Sequence, residues 1–562
     1  MENVTNKHSV LTASAVWFFA ALAAGFVSLT ASCSDSDDSG DNTPTGVLSE
    51  VVTDDATAVA LANGVYSHWQ PLSSSFSFII ELNSNKLTSF EGEEDEAGPV
   101  NSRFEQQRDT WYQVKIFNHL LLGVSNDNET VSEVTKAYEA GQVTRSGYAA
   151  AVGKAKFLRG LAYLYLVQLW GEVPVFTEEG GSTTDRLPID DVYAQIVADL
   201  TDAETLLLDY NGDPVTPSRQ AAQGLLARAY LTWGDNPLSS EQVAAIASSQ
   251  TDPAFSKTDA RLEKAVEYAD KVINSGLLKL DPDFSKLFGR DYESNKRGTD
   301  EHLFTIRHDG DRNDAQGNHQ THCSWTFPFL NGENGRGFSE NHTEVSDDDL
   351  YDNWKAEQPD DKRLAKTYFT ALVNPEDNLA YHYYSPVYTP INGKGVDQSY
   401  TNAENLEITF NSVDRIELRY AEVLLIKAEA LVQLGRNTEA AEPFNLLRQR
   451  AGIATVEAPS FDQIKREWDY EFTYEQKSLL NSLRWKNLIS SVREVAHYKH
   501  FDDSYTTAGV VGKDGNEVSS FFAKIHKHLV AKYNNVRGRH YRQPIPTGLS
   551  GEDLNIVQNP GY

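Results

Sequence analysis

Apolar residues at helical spacing, grouped in pairs and closed by glycine, constrain this chain more than any other feature. Residues 414–434 read DRIELRYAEVLLIKAEALVQL. Ile416, Tyr420, Val423, Leu424, Lys427 and Leu431 follow the 3–4 spacing of one helix face. Asp414, with Glu417 three residues on, reads as a capping box, so the spacing predicts a helix over 414–434. Gly435 is a stop signal, Asn437 a second cap, and a partner helix is expected over 438–450, ended by Gly452. A second pair has the same form: from Thr216-Pro217 to Gly234, then RLEKAVEYADKVIN (261–274) before Gly276, with a polar insertion at 235–259.

Two helices and a tight turn in roughly 34–37 residues, with small residues facing each other, are the signature of a tetratricopeptide-type hairpin. Further helices are expected at 56–69, 103–122, 190–208 and, twice, within 461–488. The segment 149–170, AAAVGKAKFLRGLAYLYLVQLW, is apolar on nearly every side after Phe157 and predicts a central buried helix. From about 277 to 412 the helical period disappears. Gly, Asn, Asp, Pro, Tyr and His dominate, with short β-like pieces such as His302–Ile306. An irregular stretch this long is expected to carry function on a rigid scaffold.

The N-terminus adds an address. Leu11 to Ala31 contains no charge and follows a short, weakly basic start (Lys7, His8). That is a secretory signal pattern. Ala31 and Ser32 precede Cys33, as in bacterial lipoproteins whose new N-terminal Cys is acylated, although Thr30 stands where Leu is usual. The rival reading is a transmembrane anchor, for which the run is near the lower length limit. Cleavage and lipidation at Cys33 are the expectation, giving a protein tethered to one leaflet. Residues 34–47 are Ser, Asp, Gly, Thr and Pro with almost nothing apolar, and are expected to form a flexible acidic tether. With Cys33 used, Cys323 has no intrachain partner.

A net charge of −31 excludes nucleic acid as a natural partner and favours a neutral ligand. No nucleophile elbow, P-loop or H-E-x-x-H motif is present. His302, His308, His319, His322 and Cys323 fit no zinc spacing. Asp309 to Gln320 begins like an EF-hand loop but has Asp314 at the sixth position and Gln320 at the twelfth, leaving at most a looser structural calcium site and no cofactor.

Five segments, in order, resemble the SusD/RagB family of outer-membrane glycan-binding lipoproteins. They are FLRGLAYLYLVQLWGEVPVFTE (157–178), GLLARAYLTWG (224–234) with KVINSGLLKL (271–280), RYAEVLLIKAEALVQLG…NLLRQRAG (419–452), KREWDYEFTYEQKSLLNSLRWKNLI (465–489) and the terminal PIPTGLSGEDLNIVQNPGY (544–562). Leu483 stands where the family often has Gly before its Arg-Trp.

The resemblance implies a mainly α, SusD-like fold over 48–562. It implies four tetratricopeptide-like helix pairs (about 55–276 and 413–490), a loop-rich glycan-binding excursion with short strands (about 277–412) and a C-terminal segment (491–562). It further implies a lipid-anchored protein on the cell surface that binds oligosaccharide or polysaccharide. Such a protein is no enzyme and serves a SusC-like TonB-dependent transporter. A helical-repeat scaffold that binds no glycan, and a glycoside hydrolase built on the abundant carboxylates, are the alternatives.

Sugar recognition needs aromatic faces and planar polar side chains. Within the excursion these are Trp325 and Phe327 in HCSWTFPF, Tyr383, Tyr384 and Tyr388 in YHYYSPVY, and Arg363 in DDKR. Trp69, with Asn83 and Asn85 of ELNSNK, joins them because the matching region borders the pocket in the family.

Overall fold

The computed structural model describes residues 52–89, 97–288, 290–291, 296–297, 299–307, 344–346, 350–369, 371–373, 380–382, 391–394, 414–494 and 519–562. Cys33, the tether 34–47, the calcium-like loop, Trp325, Phe327, Tyr383, Tyr384 and Tyr388 lie outside the described residues.

Helices dominate, and each packs on its neighbour in the chain. The order of contact runs Trp111–Glu139, Arg145–Trp170, Ile189–Leu206, Arg219–Gly234, Asp259–Asn274, Tyr420–Gln433 and Asn437–Ala451. The packing therefore passes directly from Asp259–Asn274 to Tyr420–Gln433, where Lys427 Nζ lies 2.6 Å from Asp270 Oδ1. The stack is thus continuous in space across a long interruption in sequence, of which about 307–413 is termed the insertion. Two glycines make the stack tight. A Cβ on Gly160 would meet the Leu200 side chain at 2.9 Å, and one on Gly224 would meet that of Leu418 at 2.7 Å. Arg145–Trp170 is the central element, with Phe157, Leu161, Tyr163, Leu164, Leu166 and Trp170 all buried.

Several boundaries differ from the sequence expectation, each for a physical reason. The helix expected from Thr216-Pro217 starts at Arg219, because Ser218 is the cap whose hydroxyl accepts from Ala221 N at 3.2 Å. The helix expected over 103–122 spans Trp111–Glu139 instead. Its second half contains Asn126, Asp127, Asn128 and Thr130, a polar run without helical periodicity, yet all four are buried. Asn128 Nδ2 donates to Phe176 O at 3.1 Å, and its Oδ1 accepts from Arg159 at 2.7 Å, while Arg159 also pairs with Asp199. Tertiary partners override the local propensity there.

The largest correction is at 414–419. Arg415–Arg419 is a strand, not the first turn of a helix, and it pairs antiparallel with His302–Ile306. Arg415, Glu417 and Arg419 alternate with Ile416 and Leu418, a period of two that the helical spacing downstream conceals. Glu417 caps nothing. It is fully buried and accepts from Arg228 at 2.6 Å, Arg415 at 2.7 Å and Tyr165 Oη at 2.9 Å. The helix that follows begins at Tyr420.

The C-terminal Gln-Asn-Pro-Gly-Tyr has a structural role. Asn559 Nδ2 donates to Trp170 O at 2.9 Å and to Gln543 O at 2.8 Å, and Trp170 Nε1 donates to Pro544 O at 2.9 Å. The tail is thereby fastened to the C-terminal end of the central helix. Among the described residues no helix is long and apolar enough to cross a membrane.

Candidate functional site

The insertion is held to the helical stack by buried charge. Five carboxylates (Glu301, Asp361, Glu467, Glu471, Glu475) face five cations (Arg363, Lys394, Arg419, Arg448, Arg450), and all ten residues are buried. They come from five places in the chain: the approach to the His302–Ile306 strand, the insertion, the Arg415–Arg419 strand, the Asn437–Ala451 helix, and Phe461–Phe472 with the turn after it.

Glu471 lies at the centre. It receives Arg363 Nη1 at 2.8 Å, and Arg419 and Arg450 as well. Arg419 spreads its donors over Glu301 at 2.8 Å, Glu475 at 2.8 Å and the carbonyl of Glu471. Lys394, from the far end of the insertion, reaches Glu475 at 2.8 Å.

Burial by itself raises a carboxyl pKa, but here Arg450, Arg419 and Arg363 outweigh it and hold Glu471 well below its ordinary 4.5. Burial is likewise outweighed at Glu475, by Arg419 and Lys394. Burial pushes the Lys394 ammonium down to about 8 despite Glu475 beside it.

A carboxylate with a depressed folded pKa stabilises the fold above its unfolded pKa, and that contribution is lost as pH falls through the folded value. Urea unfolding midpoints are therefore expected to hold near neutrality and to drop progressively below about pH 4.5. A midpoint unchanged down to about pH 3 would contradict the assignment of Glu471 and Glu475 as buried anions.

Apolar packing supplements the charges. Trp354, from the Leu350–Glu357 helix of the insertion, is fully buried. It stacks on Tyr470 with ring centroids 4.5 Å apart and donates Nε1 to Asp361 Oδ2 at 2.9 Å. Phe78, Leu82, Leu87, Tyr368 and Tyr474 complete this cluster, so it joins the N-terminal helices, the insertion and the 461–475 segment. Short strand pairs fix the frame above it. Leu87–Ser89 pairs with Glu344–Ser346, Tyr368–Phe369 with Ile391–Asn392, and Ala371–Val373 with Ala380–His382. Trp325 and Phe327 fall in sequence between the His302–Ile306 and Glu344–Ser346 strands, and Tyr383, Tyr384 and Tyr388 between Ala380–His382 and Ile391–Asn392.

Three of the described candidates are corrected. Arg363 is fully buried: Nε and Nη2 go to Asp361, and Nη1 goes to Glu467 and Glu471, so its fork is filled by carboxylates rather than offered to a sugar. Trp69 is a core residue, stacked on Phe76 at 6.4 Å and tilted against Tyr165 at 6.1 Å. Asn83 is fully buried. Its Nδ2 donates to Ile79 O at 3.0 Å and to Asn101 at 3.1 Å, and its Oδ1 accepts from Gln106 at 3.1 Å. Asn85 alone of that turn stays half-buried, with the neighbouring Lys86 drawn in to Asp469 at 3.2 Å.

His302 is also internal. Burial first, and Arg419 second, depress its pKa to about 4, so it is a neutral packed imidazole. Among the described residues no group of three His, Cys, Asp or Glu is placed to hold a metal ion.

The sequence reading missed the charge network. Its signal was present in Glu467, Glu471 and Glu475, spaced four apart through EWDYEFTYE (467–475) with arginines upstream and in the facing strand.

Comparison with known proteins agrees with this architecture. A model of the SusD family matches residues 226–562. This chain belongs to the SusD family. A second family model, described as starch-binding and associating with the outer membrane, matches residues 35–231. The SusD-like protein P2 of Formosa agariphila is 28% identical over 431 residues, covering 74% of each chain. A SusD homologue from Bacteroides thetaiotaomicron superposes with a TM-score of 0.68 at 18% identity, covering 91% of this chain and 98% of the other. Surface glycan-binding protein A from the same organism, solved in complex with laminarihexaose, superposes with a TM-score of 0.64 at 17% identity, covering 91% and 100%. The mainly helical SusD fold is therefore that of this chain.

Proposed function

We propose that this SusD-family protein binds oligosaccharide or polysaccharide at the cell surface through the loop-rich insertion, performs no chemistry on it, and passes it to a SusC-like TonB-dependent transporter. The observation that carries the reading is the anchoring of the insertion. A segment rich in aromatic and amide side chains is fastened at its ends by strand pairs, Trp354 and a buried charge network. A rigid base under variable loops suits a ligand whose recognition needs positioned rings and hydrogen-bonding groups. Starch binding and outer-membrane association in the description of the N-terminal family model support it, as does the laminarihexaose held by a protein of the same fold. The lipid anchor belongs to the same reading: acylation at Cys33 and the tether 34–47 would keep the domain beside an outer-membrane barrel.

Within the insertion, Trp325 is the stacking platform on which the reading stands. Affinity gel electrophoresis against soluble starch and laminarin tests it. Retardation by at least one of these glucans is expected, with a dissociation constant between micromolar and millimolar, roughly 4–8 kcal/mol. Trp325→Ala is expected to remove most of that retardation, since covering a large apolar side chain is worth roughly 1.5–3 kcal/mol. Release of reducing ends would make the protein an enzyme. Unchanged retardation in the variant would remove Trp325 from the site.

A further inference from the structure

A cleft of about 490 Å³ is lined by Glu105, Gln107, Ser248, Asn535, Arg537 and Arg539 among others. Its size is within the range of small-molecule sites. Among the described residues its walls come from the N-terminal half and the C-terminal segment. The floor is tightly set. Gly538 N donates to Ser249 O and Arg539 N to Ala247 O, both at 3.0 Å, and a Cβ on Gly538 would fall 1.9 Å from Ile246 O.

Most buried arginines of the fold are paired with carboxylates. Arg159, Arg228, Arg363, Arg419 and Arg484 each close on a carboxylate. Among the described residues Arg493, Arg537 and Arg539 meet none. Arg537 Nη1 donates only to the carbonyl of Val536, at 2.8 Å. Arg539 reaches the carbonyl of Gly561 at 3.0 Å and the His540 ring at 3.2 Å. Arg493 donates to Gln250 O at 3.1 Å, sits over Tyr533 at 5.2 Å, and leaves its buried Nε without a partner among the described residues. Arg537 feels both neighbours: burial first, then Arg493 and Arg539, lower its pKa.

The one carboxylate in the lining is already neutralised. Glu105 accepts from Arg103 Nε at 2.8 Å and from Asn535 Nδ2 at 2.9 Å. Guanidinium forks that meet no carboxylate among the described residues favour an oxoanion, in a protein whose net charge is −31. The amide of Gln107 and the exposed Ser248 hydroxyl supply hydrogen-bonding groups of the kind that sugar hydroxyls use.

We propose that this cleft binds an acidic sugar unit, its carboxylate or sulfate ester seated against Arg537 and Arg539 with Arg493 behind them. The site is separate from the glycan face of the insertion and does not rest on it. It also revises the expectation of a purely neutral ligand, because the local field departs from the net charge.

Isothermal titration of the full chain in detergent with sodium glucuronate, glucose and sodium sulfate tests the proposal. Glucuronate is expected to bind and glucose at the same concentration is not. Sulfate alone is expected to bind several-fold more weakly, because it makes no hydroxyl contacts. Arg537→Gln should weaken glucuronate by about ten-fold or more, and Arg537→Lys by less, since one charge remains but the fork is lost. Arg493→Gln, remote from the floor contacts, should weaken it as well. Circular dichroism and an unchanged urea unfolding midpoint confirm that the variants are folded. The proposal is overturned by glucuronate binding no better than glucose, by Arg537→Gln leaving it unaltered, or by sulfate matching glucuronate. An Asp-rich peptide that binds where glucuronate does not would overturn it too, making the cleft a protein contact.

Discussion

Glu471→Ala is expected to destabilise the protein by about 3–5 kcal/mol, more than the removal of any other carboxylate in the network. Glu471 is fully buried and is shared by Arg363, Arg419 and Arg450. Deleting it leaves three guanidiniums in a buried site, each having lost part of its compensation. The cost is that of stranded charge more than of a lost contact, so the neutral isostere Glu471→Gln should be milder, since its amide oxygen can still accept. Urea unfolding near neutral pH measures both. Because the three arginines come from the insertion, the Arg415–Arg419 strand and the Asn437–Ala451 helix, the loss should be global, with one transition at a lower midpoint. A change under about 1 kcal/mol would mean that the network is solvated and does not clamp the insertion.

Trp354→Ala is expected to cost about 3–5 kcal/mol by cavity formation, and to act on function as well. The indole fills the space between Tyr470 and Tyr368 and holds Asp361, which in turn holds Arg363. Its loss removes apolar contact and loosens the ion pairs behind it. Among the described residues the insertion has few other attachments on that side, so amide exchange should rise there before it rises in the helical stack. Glucan retardation should weaken in parallel, although Trp354 is buried and touches no ligand. Stability lost with retardation unchanged would show that the glycan face does not depend on this clamp.

Much of the fold was legible in the sequence because helix packing writes a period of about 3.6 into it. The central helix, the pairing of Tyr420–Gln433 with Asn437–Ala451, and the insertion between two packed helices all followed from that period and from Gly435 and Gly452. Two features were not legible for a common reason. The Arg415–Arg419 strand and the polar second half of Trp111–Glu139 are stabilised by partners distant in sequence: Glu417 by Tyr165 and Arg228, Asn128 by Arg159 and Phe176. No local window contains those partners. The same blindness affected the site. Arg363 and Asn83 have the chemistry of sugar ligands, but whether a side chain faces water or carboxylates is a property of the tertiary structure. The SusD-like character was legible in five ordered motifs, of which the last has a clear physical meaning: Asn559 fastens the tail to the end of the central helix.

The central claim of the proposed function is that neutral glucan is held by the insertion and not by the helical stack. Hydrogen–deuterium exchange of the full chain, with and without the glucan that retards it most, tests this directly. The account predicts protection within 308–343 and 383–390, with the helices between 111 and 274 unchanged. Protection confined to those helices, with the insertion exchanging as it does in the free protein, would contradict it.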